Sequence, residues 1–282
     1  MEINPTIFRE YDIRGVVDTG LSEKAVEEYE KWYGKFPGVT ITDEAAHAIG
    51  LAYGIIIKNE GGKIVVVGRE LRPGADQLTE SLIKGILQSG CSVVDIGIAL
   101  TPLVYFTTAH GNYDGGVNVT GSHNVYFFNG FKLMRKGVAP VFGEELQVMR
   151  STIEKDEMKP AAQAGTRTVM DAYPAYREYV KNHIKLERTL KVAIDCGNGS
   201  AGLFAPDLLR SIGCEVIELF TEPDARFPNH VADPEQKQFY VELEKMVRDQ
   251  KVDIGIAFYA DGDRAGFFDE KSFCLCGNAH PA

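Results

Sequence analysis

Two doubly wound α/β domains, one after the other, are what the sequence predicts. Short β-branched runs alternate with segments of helical period along most of the 282 residues, the order that builds parallel or mixed sheets with helices on their faces. The alternation stops at a polar stretch, 154–167 (EKDEMKPAAQAGTR), which reads as a linker, and then resumes. The loops richest in functional side chains follow strands at their carboxyl ends, where open α/β sheets bind ligands.

Thr42 precedes Asp43 and Glu44, the pattern of an N-cap with an acidic first turn. Ala45, Ala48, Ile49 and Ala52 then recur at helical spacing. Residues 63–67 (KIVVV) form a β-branched run of the kind that makes a buried parallel strand. Leu78, Leu82 and Ile86 mark the next helix, with Gly90 where a C-cap belongs. Residues 92–96 (SVVDI) read as a strand, Thr101-Pro102 as a helix start and 116–119 (GVNV) as a strand. Beyond the polar stretch the spacing predicts a helix over 173–184, a strand at 191–195, a helix ending near Gly213, a strand at 215–219, a helix over 239–249 and a strand at 253–258.

Composition narrows the function. A hydrophobic content of 44% is enough to fill two cores. The net charge of −10, with no Lys/Arg cluster, excludes a nucleic-acid-binding surface, which needs concentrated positive charge. The N-terminal MEINPTIFRE has neither a basic nor an apolar signal region, and no apolar run reaches the length of a membrane span. Five scattered cysteines suit free thiols in a reducing compartment, and Cys274-x-Cys276 without a second pair is not a metal site. A cytoplasmic protein with no membrane or nucleic-acid partner is the expectation.

Three loops carry candidate chemistry. In TGSHNVYFFNGFK, residues 120–132, Ser122 sits just past a strand, and Val125, Tyr126, Phe127 and Phe128 would pack the loop in place. Such a serine can simply bond its own backbone. The absence of a Gly-x-Ser-x-Gly elbow argues against a hydrolase, and His123, adjacent in sequence, is poorly placed as its base. Asp261-Gly262-Asp263-Arg264 is either a plain turn or a site for a hard cation held by alternating carboxylates, with Arg264 gripping a phosphate. The two loops make sense together. A phosphorylated serine would be repelled by bare carboxylates, and a divalent cation between them removes that conflict. The third loop, DCGNGSAG at 195–202, matches Gly-x-Gly-x-x-Gly between a strand and a helix, with Glu218 at the end of the next strand. It reads either as a dinucleotide-binding turn of an oxidoreductase or as a tight structural turn.

Taken together, FREYDIRG (8–15), VVVGRELR (65–72), TPLVYF (101–106), DGGVNVTGSHN (114–124), NGFK (129–132), DCGNGSAG, FPNH (227–230) and GIAFYADGDRAG (255–266) resemble, in order and spacing, the α-D-phosphohexomutases of the bacterial and archaeal phosphomannomutase/phosphoglucomutase type. The resemblance implies the first two domains of a normally four-domain fold, at 1–158 and 165–270, followed by an irregular tail at 271–282. It implies an isomerase acting as an intramolecular phosphotransferase on hexose phosphates by way of a hexose 1,6-bisphosphate. Ser122 would be the phosphoserine. Mg²⁺ would be bound by Asp261, Asp263 and the Ser122 phosphoryl oxygen. Arg264, Lys132, His123, Asn124, Tyr11 and Arg14 would line the transfer site, with Lys132 and His123 moving protons. It also ranks DCGNGSAG as a structural turn.

The sequence departs from that pattern in four places. Tyr259 stands where the family loop has its first aspartate, and Ala260 replaces the glycine that follows. A neutral phenol is a poor Mg²⁺ ligand. Val125 stands where a proline usually follows Ser-His-Asn, loosening the backbone there. An extra Glu/Lys-rich segment at about 18–41, with Trp32, reads as a surface helix. Lastly, the family's sugar-reading third and phosphate-holding fourth domains have no counterpart here. That leads to the expectation of a truncated chain of impaired activity, or of a non-catalytic two-domain fragment, because binding energy at the distant phosphate supports reaction at the near one.

Overall fold

The computed structural model describes residues 3–17, 21–23, 26–27, 29–30, 34–233 and 237–275. They form two compact units: the chain up to Gly97 with Val104–Gly121 and Tyr126–Met170 makes the first, and Ile98–Leu103, Ser122–Val125 and the chain from Asp171 onward make the second.

The first unit is built on β1 (Ile13–Val16), β2 (Ile64–Arg69), β3 (Ser92–Ile98), β4 (Gly115–Val119), β5 (Phe128–Arg135), β6 (Ala139–Pro140) and β7 (Arg167–Val169). The sheet runs β1-β5-β4-β2-β3-β7, with β6 on β5. β2 is parallel to β4 and β3 to β7, while β5 runs antiparallel to both β4 and β1. The sheet is therefore mixed, as a doubly wound fold with an antiparallel edge allows. Helices α1 (Asp43–Asn59), α2 (Ala75–Gln88), α3 (Thr101–His110) and α4 (Glu144–Glu154) accompany it. Thr42 caps α1 by accepting from the Ala45 amide at 3.2 Å, and Gly90 follows α2 with φ +88, the left-handed stop that glycine adopts freely. Ile49, Tyr53, Leu82, Ile86, Val67 and Phe131 close the core between helices and sheet.

Two elements differ from the sequence reading. Phe128 is more than loop packing: it opens β5, while Phe127 and Phe128 pack against Tyr29 at ring separations of 5.8 and 5.9 Å. The polar stretch read as a linker runs into β7, whose Arg167 lies beside Asp95 and Glu80 of the first unit. Trp32 and much of the surface helix expected around it lie outside the described residues.

The second unit carries β8 (Lys191–Asp195), β9 (Glu215–Leu219), β10 (Ile254–Phe258) and β11 (Ala265–Phe268), in the order β11-β10-β8-β9. Three strands are parallel, and β11 turns back on β10. Helices α5 (Tyr173–His183), α6 (Ala205–Ser211) and α7 (Val241–Gln250) flank the sheet, and Leu243, Val247, Ala257 and Phe268 form its core. The tail expected to be irregular begins in order: Cys274 bridges Phe268, and the Leu275 amide donates to the Phe267 carbonyl at 2.7 Å.

The glycine loop after β8 is not a nucleotide cradle. Its amides are already spent: Gly197 donates to Asp195 Oδ1, Asn198 to the Phe220 carbonyl, Gly199 to the Cys196 carbonyl and Ser200 to the Ala260 carbonyl, all within 3.0 Å. The three glycines are also filled by protein, since added Cβ atoms would meet Ala232, Ala260 and the Thr221 carbonyl. A pyrophosphate needs open amides at a helix start, and the chain instead enters a 3₁₀ turn at Ser200–Leu203. The dinucleotide alternative is overturned on this geometry.

The same loop is pinned by a charged pair. His230 Nε2 lies 3.0 Å from Asp195 Oδ2, and its Nδ1 donates to the Val231 carbonyl at 2.9 Å. Both nitrogens thus face acceptors. Burial works to lower the His230 pKa, but the hydrogen bond and charge of Asp195 outweigh it and the net shift is upward. A raised folded-state pKa means that the stabilisation is complete below the unfolded value of about 6.5 and is lost as pH rises through the folded value. We expect the urea midpoint of the native chain to exceed that of His230→Gln on the acid side of neutrality, with the gap closing toward alkaline pH. A gap independent of pH would contradict the charged pair.

Candidate active site

β4 delivers the Thr120–Ser122 turn, and a buried ion pair holds it. Glu70, directly after β2, pairs with Arg72 with both side chains essentially sealed from solvent. Glu70 Oε1 accepts from the Thr120 hydroxyl at 2.9 Å and from the Gly121 amide at 2.6 Å, and Arg72 donates to the Phe128 carbonyl at 3.3 Å. One carboxylate therefore fixes two consecutive residues before Ser122. Removing one partner of a buried pair costs about 3–5 kcal/mol. Glu70→Ala is therefore expected to lower unfolding free energy by that order in urea titrations, and Glu70→Gln, which keeps an acceptor, by clearly less.

Ser122 is 2% exposed and adopts φ +54, the left-handed region that costs an L-residue roughly 1–2 kcal/mol. Ser122–Val125 belongs to the second unit, together with Ile98–Leu103 and the β10–β11 connection. That connection, residues 259–264, is a hairpin loop closed by the Tyr259 amide donating to the Arg264 carbonyl at 3.2 Å, with Gly262 at φ +67. Asp261 is fully buried. Its Oδ2 accepts from the Thr101 hydroxyl at 2.9 Å, and its carbonyl accepts from the Thr101 amide at 2.9 Å. Thr101 was legible in the sequence only as a helix start, because nothing periodic links residues 160 positions apart.

Arg264 joins the two segments. Its Nη2 donates to His123 Nδ1 at 2.8 Å, its Nε lies 3.7 Å from Asp263 Oδ1, and its guanidinium carbon sits 3.9 Å from the centre of the Tyr259 ring. Ser122 Oγ is 3.4 Å from the same His123 nitrogen. Four of the predicted residues, Ser122, His123, Asp261 and Arg264, thus fall in one unit, with Asn124 and Asp263 beside them in sequence.

The other predicted residues belong to the first unit. Arg14 on β1 is buried and paired with Asp12, and Tyr11 is exposed. Lys132 on β5 stands opposite Asn118, and Arg14 opposite Gly130. Cross-strand partners share a face and side chains alternate with period two, so Arg14 and Lys132 project from the same face of the sheet. Gly130 permits that register, since a Cβ there would collide with the Ile13 carbonyl.

Among the described residues, no group of three or more His, Cys, Asp or Glu side chains is gathered as a metal cage. The hairpin itself supplies two carboxylates, with Tyr259 in the remaining alternate position. Cys91, Cys196 and Cys214 are free, and burial pushes all three thiols up, away from nucleophilic use. No helix among the described residues is long and apolar enough to cross a membrane.

Two mixed α/β units with these loops define a phosphohexomutase fold. Residues 5–159 match the model of phosphoglucomutase/phosphomannomutase alpha/beta/alpha domain I, and residues 174–272 match that of domain II. The chain belongs to the phosphoglucomutase/phosphomannomutase family. It is 37% identical over 261 residues to a phosphomannomutase/phosphoglucomutase of Pseudomonas aeruginosa, covering 93% of this chain and 51% of that protein. It is 36% identical over 264 residues to a phosphoglucomutase of Neisseria gonorrhoeae, covering 94% and 53%. A solved phosphoglucomutase/phosphomannomutase family protein from Burkholderia thailandensis superposes with TM-score 0.86 at 33% identity, covering 97% of this chain and 57% of that one. The chain spans about half the length of the curated relatives it matches.

Proposed function

We propose that this chain performs the phosphoryl-transfer chemistry of a phosphomannomutase/phosphoglucomutase, with Ser122 carrying the phosphoryl group. The observation that supports this best is the 2.8 Å Arg264–His123 hydrogen bond, which ties the strained serine turn to the acidic hairpin within one compact unit.

In this reading a hydroxyl of a hexose phosphate attacks the phosphorus on Ser122. The bond from phosphorus to Ser122 Oγ breaks, and a bond to the sugar oxygen forms. The hydroxyl proton passes by way of Lys132 or His123 to the departing Ser122 oxygen, giving a hexose 1,6-bisphosphate and the free serine hydroxyl. After the sugar reverses its orientation, its other phosphate returns to Ser122 by the same exchange. Each transfer conserves one phosphoryl group, so the net reaction is an isomerisation. Arg264 and Asn124 are assigned to the phosphoryl oxygens, where guanidinium and amide donors stabilise developing charge. Arg14 and Tyr11 are assigned to substrate phosphate.

The donor set fits a hard divalent cation. Asp261 is fully buried and Asp263 mostly so, two residues apart, and the Arg264 guanidinium brings one positive charge to that hairpin. Two carboxylates on alternate residues of one hairpin offer the oxygen ligands that a hard divalent cation takes. Ser122, Asp261 and Asp263 would hold Mg²⁺, which when bound would neutralise phosphoryl charge and polarise the phosphorus–oxygen bonds. Incubation with radiolabelled glucose 1,6-bisphosphate and Mg²⁺ tests the reading: one label per chain, on the peptide that contains Ser122, is expected. Label on another residue, or none, refutes it.

A further inference from the structure

The acidic hairpin rests on a segment far from it in sequence. Leu100 and Thr101 lie against Asp261 and Gly262, and all four residues belong to the second unit. The Thr101 amide donates to the Asp261 carbonyl at 2.9 Å, and the Thr101 hydroxyl donates to Asp261 Oδ2, also at 2.9 Å. Main chain and side chain of one residue thus grip main chain and side chain of the other. Both residues are sealed from solvent. Gly262, at φ +67, closes the contact: a Cβ there would come to 3.1 Å from the Leu100 side chain. One residue earlier, the Ser200 amide donates to the Ala260 carbonyl at 3.0 Å. Successive carbonyls of the hairpin are therefore bonded from two separate segments.

The two bonds from Thr101 differ in what they fix. The amide bond places the hairpin backbone, and any residue except proline could supply it. The hydroxyl bond acts on the carboxylate, whose terminal torsion is intrinsically broad and two-fold. A donor at 2.9 Å on Oδ2 favours one setting of the carboxylate plane. Threonine suits that task, because its branched Cβ restricts the torsion that aims the hydroxyl. A cation that meets an oriented carboxylate orders less on binding, which is the benefit of preorganisation. Outer partners that bond a ligating carboxylate typically change metal affinity about 10–100-fold.

We propose that Thr101 is a positioning residue for the acidic hairpin: its hydroxyl orients the Asp261 carboxylate for a divalent cation before the cation arrives. This role rests on the reading above, in which Asp261 and Asp263 would hold Mg²⁺. It extends the site to a residue outside both loops and assigns the hydroxyl, separately from the amide, a part in metal affinity.

Calorimetric titration of the full chain with Mn²⁺ tests it, alongside nuclear magnetic resonance of the metal-free chain. Thr101→Val keeps the shape and the amide but removes the hydroxyl donor, and its Mn²⁺ affinity should fall about tenfold. Thr101→Ser, which restores a hydroxyl, should bind close to native. The coupling from the Thr101 amide nitrogen to the Asp261 carbonyl carbon, carried through their hydrogen bond, should persist in Thr101→Val and show the hairpin still seated. Equal affinity in native and Thr101→Val overturns the proposal. A fall in affinity accompanied by loss of that coupling also overturns it, because the hairpin has then been displaced. Where Thr101→Val fails to fold, the native chain decides. Its Thr101 hydroxyl proton should be resolved, and deuterium in its place should shift the Asp261 carboxyl carbon; no such shift overturns the proposal. Mn²⁺ binding that is absent, or unchanged in Asp261→Asn, defeats the hairpin as the cation site and the proposal with it. Binding that needs Asp261 but is equal in Thr101→Val defeats the proposal alone.

Discussion

Ser122→Ala is expected to reduce phosphoryl uptake from glucose 1,6-bisphosphate to background, a loss of about a thousandfold or more, as befits removal of a nucleophile. The substitution takes away one oxygen from a residue that is 2% exposed and held from the preceding side by Glu70 and Arg72. Those contacts reach Thr120, Gly121 and Phe128 and make no use of the Ser122 hydroxyl, so the variant should fold. Its unfolding free energy in urea titrations should stay within about 1 kcal/mol of native, the usual range for deleting a single modest hydrogen bond. Loss of label together with retained stability is the signature of chemistry at Ser122. A fully labelled Ser122→Ala would move the phosphoryl acceptor elsewhere.

Tyr259→Asp is expected to raise affinity for Mn²⁺ or Mg²⁺ about tenfold or more, because a third carboxylate adds both ligand oxygens and negative charge. Without metal the variant should be less stable than native: it loses a nearly buried ring stacked under Arg264 and places a third carboxylate in the hairpin. Divalent ion should restore it, since a ligand that binds only the folded state stabilises in proportion to the logarithm of its concentration over Kd. Calorimetric titration with Mn²⁺ and melting curves with and without Mg²⁺ read the two effects independently. Tyr259→Asn, isosteric with aspartate but uncharged, should show the instability without the gain in affinity. Equal affinity in native and Tyr259→Asp would mean that the hairpin is not where the cation binds.

The strands at Lys191–Asp195 and Glu215–Leu219 were readable to the residue, because each is a short segment with β-branched residues set between helical periods of the length that α/β units alternate. β5 was not. Its sequence FNGFKLMR mixes a glycine, an asparagine and a lysine, and its strand character comes from pairing with β4 and β1 rather than from its own period. β11 was missed for the same reason: AGFF is too short to signal alone, and it exists because the loop at 259–264 folds it back on β10. At the candidate site the residue types were legible from the order of motifs, whereas their support was not. Glu70 and Arg72 belong to a motif that names no partner, yet they hold the turn that presents Ser122. Thr101 read as a helix start and proves to bind the Asp261 carboxylate. Tyr259 read as a defect in a metal loop. The ring geometry places it against the Arg264 guanidinium. Contacts between residues distant in sequence leave no periodic trace, and most of the site's support is of that kind.

The central claim is that the serine turn and the acidic hairpin serve one phosphoryl group. The most direct measurement is the phosphorus-31 resonance of the chain phosphorylated at Ser122, followed during titration with Mn²⁺. A paramagnetic ion held by Asp261 and Asp263 should broaden that line beyond detection at substoichiometric concentration, and Asp261→Asn with Asp263→Asn should protect it. A phosphoserine line that stays sharp while Mn²⁺ binds to the chain would contradict the account.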